Sequence, residues 1–413
     1  MTSAPRATRA AAFPFVALML LAGSMQANAL PSPDNTDTGI RKTQCYAPGK
    51  DKLVKCASAT ITGQDGQLGR DVSPKTNSNG DGTLGFSFTK VCNSGELAGA
   101  PPPATCPADP ALGPGTDDWG CVVDNVTGVM WEVKTTSGLR SRFKKYTNYS
   151  KDYDPLGQFK SDTDAEGYVD NVNQSLLCSY GDWGLAHTSR VQSVIDYGFT
   201  TAGKPRVDPV FLPTFNPDYY WNNSPNPSST TTAFALDYAT GTTVNTMDRG
   251  EQHYVQVLRN GKAVWDPNGH YQYSPDGAQV HDTTKNALLI WRRCVEGMSW
   301  NGSDCVGTPT IFTHEQALQW AMQQAADTGL PWRVPSVKEQ NWLVQRTIPT
   351  PPIDHGAFPD TPQVVMWTST PETRQSSLAW EIDFLVGEMH AVPRTEAHAL
   401  RLVRDEDGSP KSP

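Results

Sequence analysis

The strongest constraint on this chain is that one pattern occurs in it twice. Asp208 to Trp221 spans 13 residues, as does Asp354 to Trp367, and Trp221 to Asp237 spans 16, as does Trp367 to Asp383. Asp237 to Gly241 and Asp383 to Gly387 are both 4 apart. Trp183-Gly184-Leu185 falls on Trp332-Arg333-Val334, and Val257-Leu258-Arg259 falls on Leu402-Val403-Arg404 with one gap. Equal spacing of aromatic anchors and turn residues over this length indicates duplication of one folding unit.

Local signals within the repeat predict a mixed α+β unit, loop-rich and stabilised by disulfides. Thr313 followed by Gln316 is a capping box that opens a helix with Ala317, Ala321, Met322 and Ala325 on one face, stopped by Gly329 and Pro331. Ser336 with Glu339 caps a second helix that turns Leu343 and Val344 inward. The first copy keeps this helix as Val191, Val194 and Ile195, ended by Gly198. Two-residue alternation follows in Leu378, Trp380, Ile382 and Phe384, and in Phe234, Leu236 and Tyr238, which predicts antiparallel strands. The limits expected are a signal peptide over 1–29 and a Gly/Pro/Ser-rich leader with cysteine loops over 30–114. Copy 1 then covers 115–262, a linker 263–275, copy 2 276–405, and a polar tail 406–413.

The first 29 residues carry Arg6 and Arg9, an apolar stretch from Ala10 to Leu21 and a small-x-small site at Ala27-Asn28-Ala29, the pattern of a secretory signal peptide. The expected destination is the periplasm, the cell surface or the extracellular space, with no transmembrane segment, because no long uncharged apolar run occurs later. All eight cysteines lie beyond this segment, and an even count in an exported chain indicates disulfides. Spacing pairs Cys45 with Cys56, Cys294 with Cys305 and Cys92 with Cys106, leaving Cys121 for Cys178. Removing the signal peptide leaves 32 Lys+Arg against 43 Asp+Glu, a formal charge of −11. Such a balance argues against nucleic acid as a partner.

Three stretches carry a family resemblance: Asp124 to Glu132, the Trp332 to Glu339 helix entry, and Trp367 to Pro371 followed by Trp380 to Gly387 and Leu402 to Arg404. They resemble the Lcl C-terminal domain family, named for a bacterial collagen-like adhesin, in two tandem copies. The similarity extends to Cys294 through Cys305 with Trp300-Asn301-Gly302 between them. In copy 1, Gly184 and Ala186 stand where the family has Arg and Pro, and Trp221-Asn222-Asn223-Ser224-Pro225 replaces Trp-Ser-Ser-Thr-Pro. The resemblance implies a secreted or surface domain related to the C-type-lectin-like folds, with adhesion to glycans or another extracellular polymer as its role. The collagen-like stalk is not inherited, since no glycine recurs every third residue.

Candidate binding residues are few. Arg140, Arg142, Lys144 and Lys145 form the one dense basic run, with Phe143, Tyr146 and Tyr149 nearby. It reads either as a solvated loop or as an anion site for an acidic or sulfated glycan. Trp221 and Trp367 are either core packing beside a turn or aromatic surfaces of a binding site. Trp221-Asn222-Asn223 is similar to the Trp-Asn-Asp of calcium-dependent lectins, but no Glu-Pro-Asn partner is present. Gly80 to Gly85 fits G-x-G-x-x-G, yet a strand-like Phe86, Phe88, Val91 follows where a dinucleotide site needs a helix, so a turn is expected. Asn77, Asn79 and Asp81 imitate a calcium loop, with Phe88 where a bidentate Glu is required. No catalytic, metal or cofactor motif appears, and an enzyme is not expected. The alternative to a glycan-binding adhesin is an interaction subunit of an envelope or pilus assembly, and an enzyme on a lectin-like scaffold ranks below both. Composition leaves the oligomeric state open.

Overall fold

The computed structural model describes Met1 and residues 37–72, 80–260, 270–283, 289–348 and 350–405. The expected signal peptide, Asn77 and Asn79, positions 263–269 of the expected linker and the tail from 406 lie outside the described residues. The leader begins with a small hairpin, β1 (Cys45–Tyr46) and β2 (Leu53–Val54), closed by Cys45–Cys56. Cys92–Cys106, Cys121–Cys178 and Cys294–Cys305 complete the pairing that spacing indicates. Each closes a loop that otherwise costs chain entropy, a stabilisation of about 3 kcal/mol for short loops.

The chain continues through β3 (Phe88–Cys92), β4 (Trp119–Asp124), β5 (Met130–Glu132), α1 (Ala165–Gln174), β6 (Gly184–Leu185) and α2 (Thr188–Val191). Then follow β7 (Tyr219–Pro225), β8 (Thr232–Asp237), β9 (Thr243–Asp248), β10 (Tyr254–Val255) and β11 (Val257–Arg259). Copy 2 contributes β12 (Tyr271–Tyr273), β13 (Gln279–Asp282), β14 (Leu289–Arg292), β15 (Met298–Trp300), β16 (Cys305–Gly307), α3 (His314–Thr328) and α4 (Val337–Trp342). It ends with β17 (Val365–Pro371), β18 (Leu378–Asp383), β19 (Glu388–Pro393) and β20 (Val403–Asp405). Both predicted capping boxes are formed, at Thr313/Gln316 and at Ser336/Glu339. Gly329 closes α3 in the left-handed conformation that a Cβ disfavours.

Register shows that the copies are equivalent. In copy 1, Trp131 stands opposite Val122 and Leu258, and Leu258 opposite Gly184. In copy 2, Trp291 stands opposite Val280 and Val403, and Val403 bridges to Arg333. Trp221 pairs with Ala235 as Trp367 pairs with Glu381. Gly241 and Gly387, with φ of 90° and 79°, donate their N–H to the carbonyls of Asp237 and Asp383, closing the same turn.

The copies are not two beads on a linker, as tandem small domains would be. The described residues from Asp37 onward form one unit. Their strands join in a single seven-stranded sheet of order β10-β7-β8-β9-β19-β18-β17. The junction is an antiparallel contact of Thr243 with Met389, reinforced by Asn245 N–H donating to Glu388 Oε1 at 2.6 Å. Equivalent strands thus meet at one end, where each partly covers the other's edge. One apolar core runs through Trp131, Tyr220 and Leu236 of copy 1 and Trp291, Trp380 and Ile382 of copy 2. The copies also extend beyond the sequence-based limits: β3, in the expected leader, is the edge strand of copy 1's five-stranded sheet, as β12, in the expected linker, is that of copy 2's four-stranded sheet. The architecture is α+β, rich in strands and short loops.

Candidate functional site

The residues singled out by sequence do not converge. Trp221 and Trp367 are both fully buried, and each donates its indole N–H to a backbone carbonyl, Tyr146 O and Phe312 O, at 2.7 Å. They also meet His253 and His398 edge-on, with ring centroids 5.0 and 4.7 Å apart. No ring face is left for a ligand, so these two are core anchors and not stacking platforms. The basic run is largely spent on structure. Arg140 donates to the carbonyls of Gly120 and Val133, Arg142 to Asn216 Oδ1 at 2.8 Å, and Lys145 pairs with Asp218 at 2.8 Å. Lys144 is exposed and Phe143 keeps 66% of its surface in solvent. Gly80 to Gly85 forms the expected turn, with Thr83 bonded to Asp208.

A different group of side chains does converge, in copy 2. The disulfide hairpin β15–β16 and the flank of α3 enclose a cleft of about 440 Å³, whose lining includes Arg292, Glu296, Met298, Trp300, Trp320 and Trp332. The inward stripe of α3 is Ala317, Leu318 and Ala321, so helical spacing turns Trp320 away from the core. Trp320 keeps 36% of its surface exposed. Its indole N–H donates to Glu296 Oε2 at 2.7 Å and its ring lies 5.6 Å from that of Phe312, so it is held in place. Arg292 donates to both oxygens of Glu296, at 3.1 and 2.9 Å, and to Gln324, while lying over the Trp332 ring. Burial pushes the Glu296 carboxyl above its ordinary range, opposed by Arg292 and by the Trp320 bond. Trp300 is covered on one face by the Arg293 guanidinium at 3.9 Å.

This arrangement supplies exposed aromatic surface beside a fixed carboxylate, amide and guanidinium, which suits binding and positioning. Trp300 was legible between the two cysteines that carry the resemblance. Trp320 was legible as the aromatic off the buried stripe of a capped helix. Sequence reading nominated neither as a binding residue, and it could not show that Glu296 meets Trp320.

Other polar clusters are closed to ligands. Glu132, Lys134 and Tyr168 bond to one another in the core of copy 1, with Lys134 Nζ donating to Tyr168 Oη at 2.7 Å. Burial lowers the lysine and raises the tyrosine, and no solvent reaches them. A cavity of about 770 Å³ between the leader and copy 2 takes Lys42, Lys55 and the buried Trp332 into its lining, with no exposed ring. Among the described residues, no group of three His, Cys, Asp or Glu could hold a metal ion, and no helix is long and apolar enough to cross a membrane.

The family model of the Lcl C-terminal domain matches residues 120–259 and 279–404, the two copies and more than half of the chain. Comparison with curated proteins and with solved structures found no match.

Proposed function

We propose that this chain, which belongs to the Lcl C-terminal domain family, is an exported, adhesin-like, non-catalytic recognition protein that binds a neutral glycan in the tryptophan cleft of copy 2. One observation carries the reading: Trp320 lines the cleft with 36% of its surface exposed while its N–H is pinned by Glu296. A pyranose offers an apolar C–H face to such a ring and hydroxyls to the polar groups around it, here Gln279, Arg292 and Glu296. A neutral sugar fits better than a sulfated one. The lining cation, Arg292, is already paired with Glu296, and the basic run of copy 1 retains one exposed cation, Lys144.

The test is a titration of intrinsic tryptophan fluorescence with neutral and sulfated oligosaccharides. Binding to at least one neutral glycan should be insensitive to salt, fall at least tenfold in Trp320→Ala, and persist when Arg140, Arg142, Lys144 and Lys145 are all changed to Ala. A ligand set confined to sulfated polymers, or binding that survives Trp320→Ala, would replace this reading with one centred on the basic run.

A further inference from the structure

Equivalent strands of the two copies differ in what covers them. Asn223 and Pro225 of β7 are exposed, whereas their counterparts Ser369 and Pro371 of β17 are buried. In copy 2 the cover is the chain's own leader. Glu315 accepts the Gly49 N–H at 3.0 and 2.8 Å from its two oxygens. Arg394 lies 3.6 Å over the Tyr46 ring, donates to Lys50 O at 3.1 Å and pairs with Asp51 at 2.7 Å. Thr370 Oγ1 donates to Asp65.

Copy 1 carries Glu166, Arg249 and Ser224 at the positions of Glu315, Arg394 and Thr370. Here they line a cleft of about 280 Å³, shared with Tyr149, Phe159 and Asn222. Arg249 still donates to a backbone carbonyl, Asn148 O, at 2.8 Å. The Glu166 carboxylate makes no hydrogen bond or ion pair among the described residues, and it is only partly exposed. Asn222 is buried, and its Nδ2 has no hydrogen-bond partner there although its Oδ1 accepts from Thr188 and Ser224. A buried amide donor without a partner is destabilising.

We infer that the copy 1 cleft is a docking site for a polypeptide turn of a partner protein. The cleft presents one unused acceptor, Glu166, which matches a peptide N–H, and Asn222 Nδ2, buried in the cleft wall, is a donor without a partner among the described residues. The part-exposed ring of Phe159 and the mixed charges of Lys151, Asp152 and Arg249 suit a turn bearing an aromatic and an acidic side chain, as the leader turn does in copy 2. A polyanion finds no net positive field in this lining. The inference is independent of the tryptophan cleft.

The probe is the oxidised peptide of residues 44–57 of this chain, fluorescein-labelled and titrated by anisotropy with the whole exported chain. Saturable binding is expected, weakened at least tenfold both by Glu166→Ala, which removes the acceptor, and by Asn223→Trp, which fills the cleft from an exposed position. Trp320→Ala and Glu315→Ala should not weaken it, and unchanged melting curves for all four variants would show that they fold. Absence of saturable binding overturns the inference. So does binding that survives both copy 1 changes, that is lost with Glu315→Ala, or that a neutral oligosaccharide displaces.

Discussion

The two copies share a backbone and part company at the surface. Copy 2 runs directly from Phe312 to the α3 cap at Thr313, and the leader covers the strand beside it. Copy 1 inserts residues 147–163 at the same point, and this insertion folds back on itself through Asp164, which accepts from Tyr149 N at 2.9 Å and from Thr147 Oγ1 at 3.2 Å. One scaffold is thus covered by a remote segment in one copy and by a local one in the other, and the local cover leaves a cleft. The opposite holds for α3. Trp320 faces solvent there, while Asn171 takes its place on α1 and bonds to Asp162. The duplicated frame preserves the anchors and frees the covering material to diverge, so each copy has its own candidate surface.

The sharpest way to break this equivalence is at the anchors. Trp221→Ala and Trp367→Ala should each cost about 3–5 kcal/mol, since both delete a fully buried indole together with its bond to a backbone carbonyl. Urea unfolding should show one transition for each variant, because sheet and core are continuous across the copies. Costs that differ by more than about 2 kcal/mol, or a second transition in either variant, would mean that the copies are less alike than their register.

A smaller effect distinguishes the covers. Arg394→Ala removes the pair with Asp51, the stack on Tyr46 and the bond to Lys50 O, and should cost about 2–3 kcal/mol. Arg249→Ala loses bonds to Asn148 O and Thr230 O and should cost about 1 kcal/mol. Equal losses in thermal or chemical melts would show that the leader contributes no more to copy 2 than the insertion does to copy 1.

The smallest effect is in pH. Burial pushes the Asp65 carboxyl up to about 7 from 3.8, against the hydroxyls of Thr370 and Thr38. Between about pH 4 and 7 the folded chain holds a proton that the unfolded chain releases, so this contribution is present at low pH and is lost as pH rises through that window. Asp65→Asn should therefore flatten the decline in stability from pH 5 to 7 by roughly 1–2 kcal/mol, with other carboxyls raised by burial, among them Asp71, Asp196 and Glu381, supplying what remains. An unchanged slope would mean that the Asp65 carboxyl is ionised in the folded chain. Copy 1 has no counterpart, since its Ser224 hydroxyl bonds to Thr188.

Much of this molecule was legible in the residues because the determinants are local or periodic. Cysteine spacing indicated three disulfides and left Cys121 for Cys178, capping boxes at Thr313 and Ser336 set where two helices begin, and equal spacings matched Trp221 to Trp367. The candidate site was less legible. Trp221 and Trp367 look alike whether they stack on a ligand or fill a core, and the charges at 140–145 carry no mark of which carbonyls and carboxylates will claim them.

What tertiary structure alone decided depends on contacts between segments far apart in the chain. The junction of Thr243 with Met389, the seat of Tyr46 against Arg394, and the meeting of Glu296 with Trp320 are examples. Local propensity and spacing determine which elements form and how each repeat is built. Which faces those elements finally leave in water is set by competition among all segments for the same apolar surface, and only the folded chain resolves it.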